Sequence, residues 1–145
     1  MLPDVPMAIL EFMFDTARAI TSLLASGTFM RCPDIRFIFS HCGGAIPTIA
    51  GRINGWSASF RDRAPKGALH ELSRLNFDTA SMANPATFGA VLKLVSASQV
   101  FYGSDFPWGT MAAAKNPLRA LGLNADDLYA IEEGNARRLF ARLNS

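Results

Sequence analysis

The sequence predicts an α/β fold of three parallel βα units, and three observations carry that prediction. Three short apolar runs, centred on Phe37-Ile-Phe39, Leu75 to Thr79 and Val100 to Gly103, have the length and the branched or aromatic content of buried strands. Helical stretches separate and follow them, two of which open on the helix-start signals Pro47 and Asn84-Pro85. Two of the runs end on a polar residue in a small-residue turn: His41 before Gly43-Gly44, and Asp105 after Gly103-Ser104.

The chain opens with an extended entry over residues 1–7, marked by Pro3 and Pro6. From Ile9 to Arg31, Phe12, Ile20, Leu23, Leu24 and Phe29 recur at helical spacings, giving one long helix or two abutting ones, with Gly27 as the break. Cys32-Pro-Asp34 turns the chain into the first strand, Arg36 to Ser40, whose Phe37, Ile38 and Phe39 are expected to be buried on both faces. Pro47 starts a helix running through Arg52 and Trp56 toward Arg63, ended by Ala64-Pro65-Lys66-Gly67. A short amphipathic segment carrying His70 leads to the second strand, Leu75 to Thr79, and a helix from Asn84-Pro85 to Val95 leads to the third, Val100 to Gly103. Helices from Thr110 to Leu121 and from Asp126 to Leu143 close the chain. Asn124 or Asp126 caps the last one, and Arg137, Arg138 and Arg142 suit its C-terminal dipole.

Buried strands joined by helices pair in parallel with right-handed crossovers, so all three strand C-termini lie on one rim. His41, Asp78 and Asp105 are expected to share it, at the end of the sheet where α/β enzymes place their chemistry. Three strands leave edges uncovered, so the 145 residues are expected to be one domain-sized piece of a larger fold. Fourteen basic and twelve acidic side chains give a net charge of +2 with no basic run, which argues against a nucleic-acid partner. Glu11, Asp15 and Arg18 interrupt the longest apolar stretch, so no membrane span is expected, and with no signal peptide a cytoplasmic location follows. Cys32 and Cys42 read as free thiols; a catalytic thiol at Cys42, beside His41, is the lesser alternative.

His41-Cys-Gly-Gly44 followed by Pro47, and Gly103-Ser-Asp105-Phe-Pro-Trp108, resemble the C-terminal half of the amidohydrolase-related metalloenzymes. The branch they resemble contains the aminocarboxymuconate semialdehyde, resorcylate and 6-methylsalicylate decarboxylases. Leu10-Glu-Phe-Met-Phe-Asp-Thr-Ala-Arg18, Gly51-Arg52 and Gly134-Asn-Ala-Arg-Arg-Leu-Phe140 extend the likeness over nearly all of residues 1–145. The resemblance implies a partial (β/α)8 barrel, about the last three βα units and C-terminal helices of a fold of roughly 250 residues or more. It implies a divalent metal, zinc or manganese, with Asp105 as the ligand from the eighth strand. It makes His41 the catalytic acid/base beside that metal. The first-strand histidine pair and the fifth-strand histidine of the family have no counterpart in the sequence.

The implied activity is decarboxylation of a small aromatic or muconate-like acid. The alternatives are hydrolysis by the same superfamily chemistry, or a silent fragment that pairs with a missing N-terminal half or with itself. Phe106 and Trp108 either wall an aromatic-substrate pocket or pack in the core. Arg52 either binds a substrate carboxylate, across a dimer interface, or holds an ion pair on its helix. Asp15 and Arg18 are expected to form an ordinary helical ion pair, and His70 to be a solvated surface residue.

Overall fold

The computed structural model describes residues 4–140. Three strands, β1 (Ile38–Phe39), β2 (Asn76–Asp78) and β3 (Val100–Phe101), form one parallel sheet in the order β1-β2-β3. The strands are shorter than the apolar runs that announce them. β2 is the central one, and its Phe77 is completely buried.

Helix α1 (Met7–Ala25) follows Pro6 directly and buries Ala17, Ile20 and Leu24, one stripe at helical spacing. Gly27, at φ +73, separates it from α2 (Thr28–Arg31), as the sequence suggests; a Cβ there would press on Arg63 Cβ at 3.0 Å. Asp15 and Arg18 pair on the exposed face of α1.

Beyond α2 the structure corrects one expectation. Ile38 is 38% exposed, so the Phe37-Ile-Phe39 run is not buried on both faces. Phe37 packs edge-on against Phe29 of α2 at 5.2 Å and stacks on Phe39 at 6.0 Å, while Ile38, one residue out of phase, shares the opposite face with its β2 partner Asn76. That face is only partly covered on the β1 side.

Helix α3 (Ile46–Gly55) carries Pro47 in its first turn but stops well short of Arg63. Its end is recruited by the next segment: Asn54 Oδ1 accepts from Leu69 N at 3.3 Å and Ser57 Oγ accepts from Ala68 N at 3.2 Å. These are first-turn donors of α4 (Ala68–Leu72), groups that a helix start leaves without intrahelical partners. The chain between, Ser57–Phe60, tightens into a 3₁₀ turn. Helix α5 (Pro85–Leu94) starts where expected, with Asn84 Oδ1 accepting from Thr87 N at 3.0 Å.

After β3, α6 (Met111–Arg119) is capped by Thr110 and α7 (Ala125–Tyr129) by Asn124, which settles the choice between Asn124 and Asp126. The last expected helix is not regular. A π turn, Ala130–Gly134, separates α7 from α8 (Asn135–Leu139), and Leu143 and Arg142 lie outside the described residues. The π turn has a tertiary cause. Asn135 N bonds back to Ala130 O, and Ile131 O instead accepts Tyr102 N at 2.9 Å, just past the end of β3. The fully buried Asn135 side chain then donates to Ala97 O at 2.8 Å and Val100 O at 2.6 Å.

Asn135 therefore fastens the closing helices to the entrance of β3 through carbonyls with little access to water. Replacing Asn135 with Ala should lower the unfolding free energy by about 1–3 kcal/mol, because the Val100 carbonyl loses the Asn135 donor and the Ala97 carbonyl keeps only Val100 N. Urea titration of the two proteins, compared at equal slope, checks this.

Candidate active site

All three strands deliver their C-terminal ends to one rim, and the backbone there is unusual. Among the described residues, four non-glycine residues have positive φ: His41 at +54, Cys42 at +56, Ser81 at +52 and Asp105 at +61. They follow β1, β2 and β3, so every strand end carries at least one. Left-handed backbone at a Cβ-bearing residue costs on the order of 1–2 kcal/mol and persists only where surrounding contacts impose it.

The segment after β2 supplies those contacts. Asp78 Oδ1 accepts His41 N at 3.0 Å and Ala80 N at 3.0 Å, tying the β1 turn to the β2 turn. His41 Nδ1 lies 2.9 Å from Ala80 O. A carbonyl only accepts, so Nδ1 carries the proton of this bond and Nε2 is the ring nitrogen left for proton exchange. Ser81 Oγ donates to Asp105 Oδ2 at 2.7 Å, tying the β2 turn to the β3 loop. Thr79 completes the set, its Oγ1 accepting Gly103 N at 3.0 Å. Asp78 thus serves the rim through hydrogen bonds rather than by facing a ligand alone.

Gly43 and Gly44, after His41, let the turn approach the protein's own helix and core closely. Gly44 brings the turn against α1: a Cβ there would sit 2.2 Å from Met13 O, and Ala45 N donates to that same carbonyl at 3.3 Å. Gly43 makes room for the Phe77 ring, 2.5 Å from where its Cβ would be. This approach seats α1 as a wall of the site.

Between that wall and the rim lies a cavity of about 700 Å³, lined by Ala8, Ile9, Phe12, Met13, His41, Ser81, Met82, Asp105 and Trp108. It is largely apolar with a few convergent polar groups, the usual character of a small-molecule site. His41, Asp105 and Trp108 are thus brought together. Trp108 is 89% exposed and Phe106 is 82% exposed, so neither packs in the core, and Phe106 is not among the lining residues. Arg52 is exposed on α3, away from the cavity lining, and forms no ion pair among the described residues. His70 sits on α4, also outside the lining. Ser81 was not singled out in the sequence; its one signal is a small polar residue three positions after Asp78.

Burial, opposed by the two N–H donors and by the neighbouring His41 and helped by Asp105, holds the Asp78 carboxyl above its ordinary value of 3.8. Burial, with Asp78 adding to it, pushes the Cys42 thiol up to about 12, so Cys42 is a neutral core residue and not a nucleophile. Asp105 is a hard oxygen donor with Oδ1 free of hydrogen bonds among the described residues, and His41 adds an imidazole to the same cavity. Yet among the described residues no three His, Cys, Asp or Glu side chains converge as a metal site requires. These residues fit part of a divalent-ion site and do not make a whole one.

Similarity to known proteins can now be set beside this geometry. An amidohydrolase family model matches residues 4–142. A decarboxylase of Aspergillus niger is 28% identical over 97% of the chain and 40% of its own length, and a 6-methylsalicylic acid decarboxylase of Penicillium expansum is 31% identical over 95% and 44%. A 2-keto-4-carboxy-3-hexenedioate hydratase of a Sphingobium strain is 26% identical over 88% and 39%. Among solved structures, a dihydroxybenzoic acid decarboxylase from Polaromonas with bound manganese and an inhibitor superposes at a TM-score of 0.80, with 22% identity over 94% of the chain and 42% of that protein. The chain spans less than half the length of each of these relatives.

A raised carboxyl makes folding less favourable as pH rises. Below pH 3.8 Asp78 is protonated in both states, and above it the unfolded state releases its proton while the folded state resists. Asp78→Asn keeps an Oδ1 acceptor for His41 N and Ala80 N without the charge. It should match or exceed the parent in stability at neutral pH, and its stability should decline less between pH 4 and 7. Thermal unfolding across that range checks the sign.

Proposed function

The chain belongs to the amidohydrolase family, and on that premise we propose that its rim serves the metal-dependent decarboxylation of a small aromatic or muconate-like carboxylic acid. The observation that carries the reading is the fixed tautomer of His41 in the same apolar cavity as Asp105. A histidine whose Nδ1 is committed to a backbone carbonyl presents Nε2 as a proton carrier of defined position. In this reading His41 Nε2, protonated, delivers its proton to the carbon that bears the carboxylate. The electrons of the breaking C–C bond return to the substrate, carbon dioxide leaves, and His41 is left neutral.

Asp105 would contribute one ligand to a zinc or manganese ion, and the remaining ligands would come from outside the described residues. Such an ion would balance the charge of the substrate carboxylate and a neighbouring oxygen. Phe12, Met13, Met82 and Trp108 supply an apolar and aromatic surface for a ring. Phe106, beside Trp108 in the same loop, and Arg52 on α3 are substrate contacts only for an acid reached from beyond this cavity; for Arg52 that means a neighbouring subunit of a homo-oligomer. Two free cysteines are compatible with a reducing, cytoplasmic setting.

The hydratase among the relatives supports a second reading, in which the same histidine and carboxylate serve the addition of water to an unsaturated keto acid. One experiment separates the two. The purified protein, with His41→Ala and Asp105→Ala alongside, is analysed for zinc and manganese and assayed for carbon dioxide release from hydroxybenzoic acids and for hydration of unsaturated keto acids. His41→Ala should keep its metal and lose about 10²- to 10⁴-fold in carbon dioxide release, while Asp105→Ala should lose both. Hydration without carbon dioxide release would select the second reading, and absence of metal and of both reactions from the unaltered protein would refute the two together.

A further inference from the structure

Ser81 is exposed, yet its backbone is held at φ +52 and its hydroxyl reaches Asp105 Oδ2 at 2.7 Å across 24 positions of sequence. Glycine would adopt that backbone without strain, so the serine is not explained by the turn. Asp105 is already fixed in its main chain. Gly109 N donates to Asp105 O at 2.8 Å, and the loop closes so tightly that a Cβ on Gly109 would lie 2.2 Å from Ser104 O. What that closure leaves loose is the orientation of the carboxylate, and the Ser81 hydroxyl is the group that acts on it.

We propose that Ser81 is a positioning residue: by donating to Oδ2 it fixes the Asp105 carboxylate and leaves Oδ1 as the oxygen offered beside His41. The consequence for ion binding rests on Asp105 being a metal ligand, as put forward above; the orientation itself does not. The residues 78–81 then set both halves of the site, His41 through Asp78 and Ala80, and Asp105 through Ser81. Groups that hydrogen-bond a ligating carboxylate commonly change metal affinity 10- to 100-fold when removed.

Two substitutions separate positioning from a purely structural staple. Ser81→Ala removes the hydroxyl and keeps the strained backbone, whereas Ser81→Gly removes the hydroxyl and relieves the strain. Crystal structures of both variants, manganese titration by calorimetry and melting temperature are compared with the unaltered protein. The expected result is an Asp105 carboxylate that turns or occupies two orientations in both variants. Manganese affinity should fall about 10- to 100-fold in both, although the glycine variant melts at a higher temperature than the alanine variant. An unchanged carboxylate in both structures would overturn the proposal, as would manganese affinity that follows melting temperature, with the glycine variant binding like the parent. If the carboxylate turns in both variants while the unaltered protein itself takes up no manganese, the positioning role stands and the metal-dependent function falls.

Discussion

A carboxylate at the end of the middle strand, taking one N–H from its own turn and one from the turn before it, is the constraint on which the rim depends. Asp78 is drawn out of water to make those bonds, and its raised proton affinity measures the cost. The return is geometric. With His41 N held by Asp78 and His41 Nδ1 held by Ala80 O, a residue on one strand end is fixed in backbone and ring by two residues of another. The β3 loop is joined to the same segment through Thr79 and Ser81. A central strand is the one element that touches both neighbours, so it is the natural place for the residues that bring the neighbours' side chains into register.

Much of this was legible in the sequence wherever the signal is local. Helix starts at Asn84-Pro85 and Thr110, the break at Gly27, the parallel three-strand order of elements, and His41 and Asp105 at strand ends all follow from short patterns of residue type. What escaped depends on contacts between distant residues. The end of α3 is decided by Asn54 and Ser57 capping a helix further along the chain, and the π turn by Tyr102 competing for the Ile131 carbonyl. An apolar run such as Phe37-Ile-Phe39 states that its residues avoid water, not which of its two faces has a neighbour to cover it. Ser81 is the clearest case, since nothing within ten residues of it indicates that its hydroxyl will meet Asp105.

The apolar parts of the site have an equally physical origin. α1 is held on the rim by one backbone hydrogen bond and by the absence of a side chain at Gly44, so the cavity wall is as well placed as that contact is close. The helix turns Ile9, Phe12 and Met13 to the cavity while its stripe of Ala17, Ile20 and Leu24 enters the core. One helix thereby serves packing along its second half and ligand surface along its first, and the two uses share a single orientation.

The left-handed backbone of the rim sets a trap for anyone redesigning this chain for heat resistance. At Ser81, which is exposed and left-handed, glycine is the substitution that relief of backbone strain favours, and Ser81 is the residue proposed above to orient Asp105. A search rewarded for stability alone would therefore climb by dismantling the site. The safe gains lie elsewhere: Gly51 within α3 and Gly89 within α5 are exposed and have open space where a Cβ would go, so alanine there reinforces the helices by about 1 kcal/mol each without touching the rim.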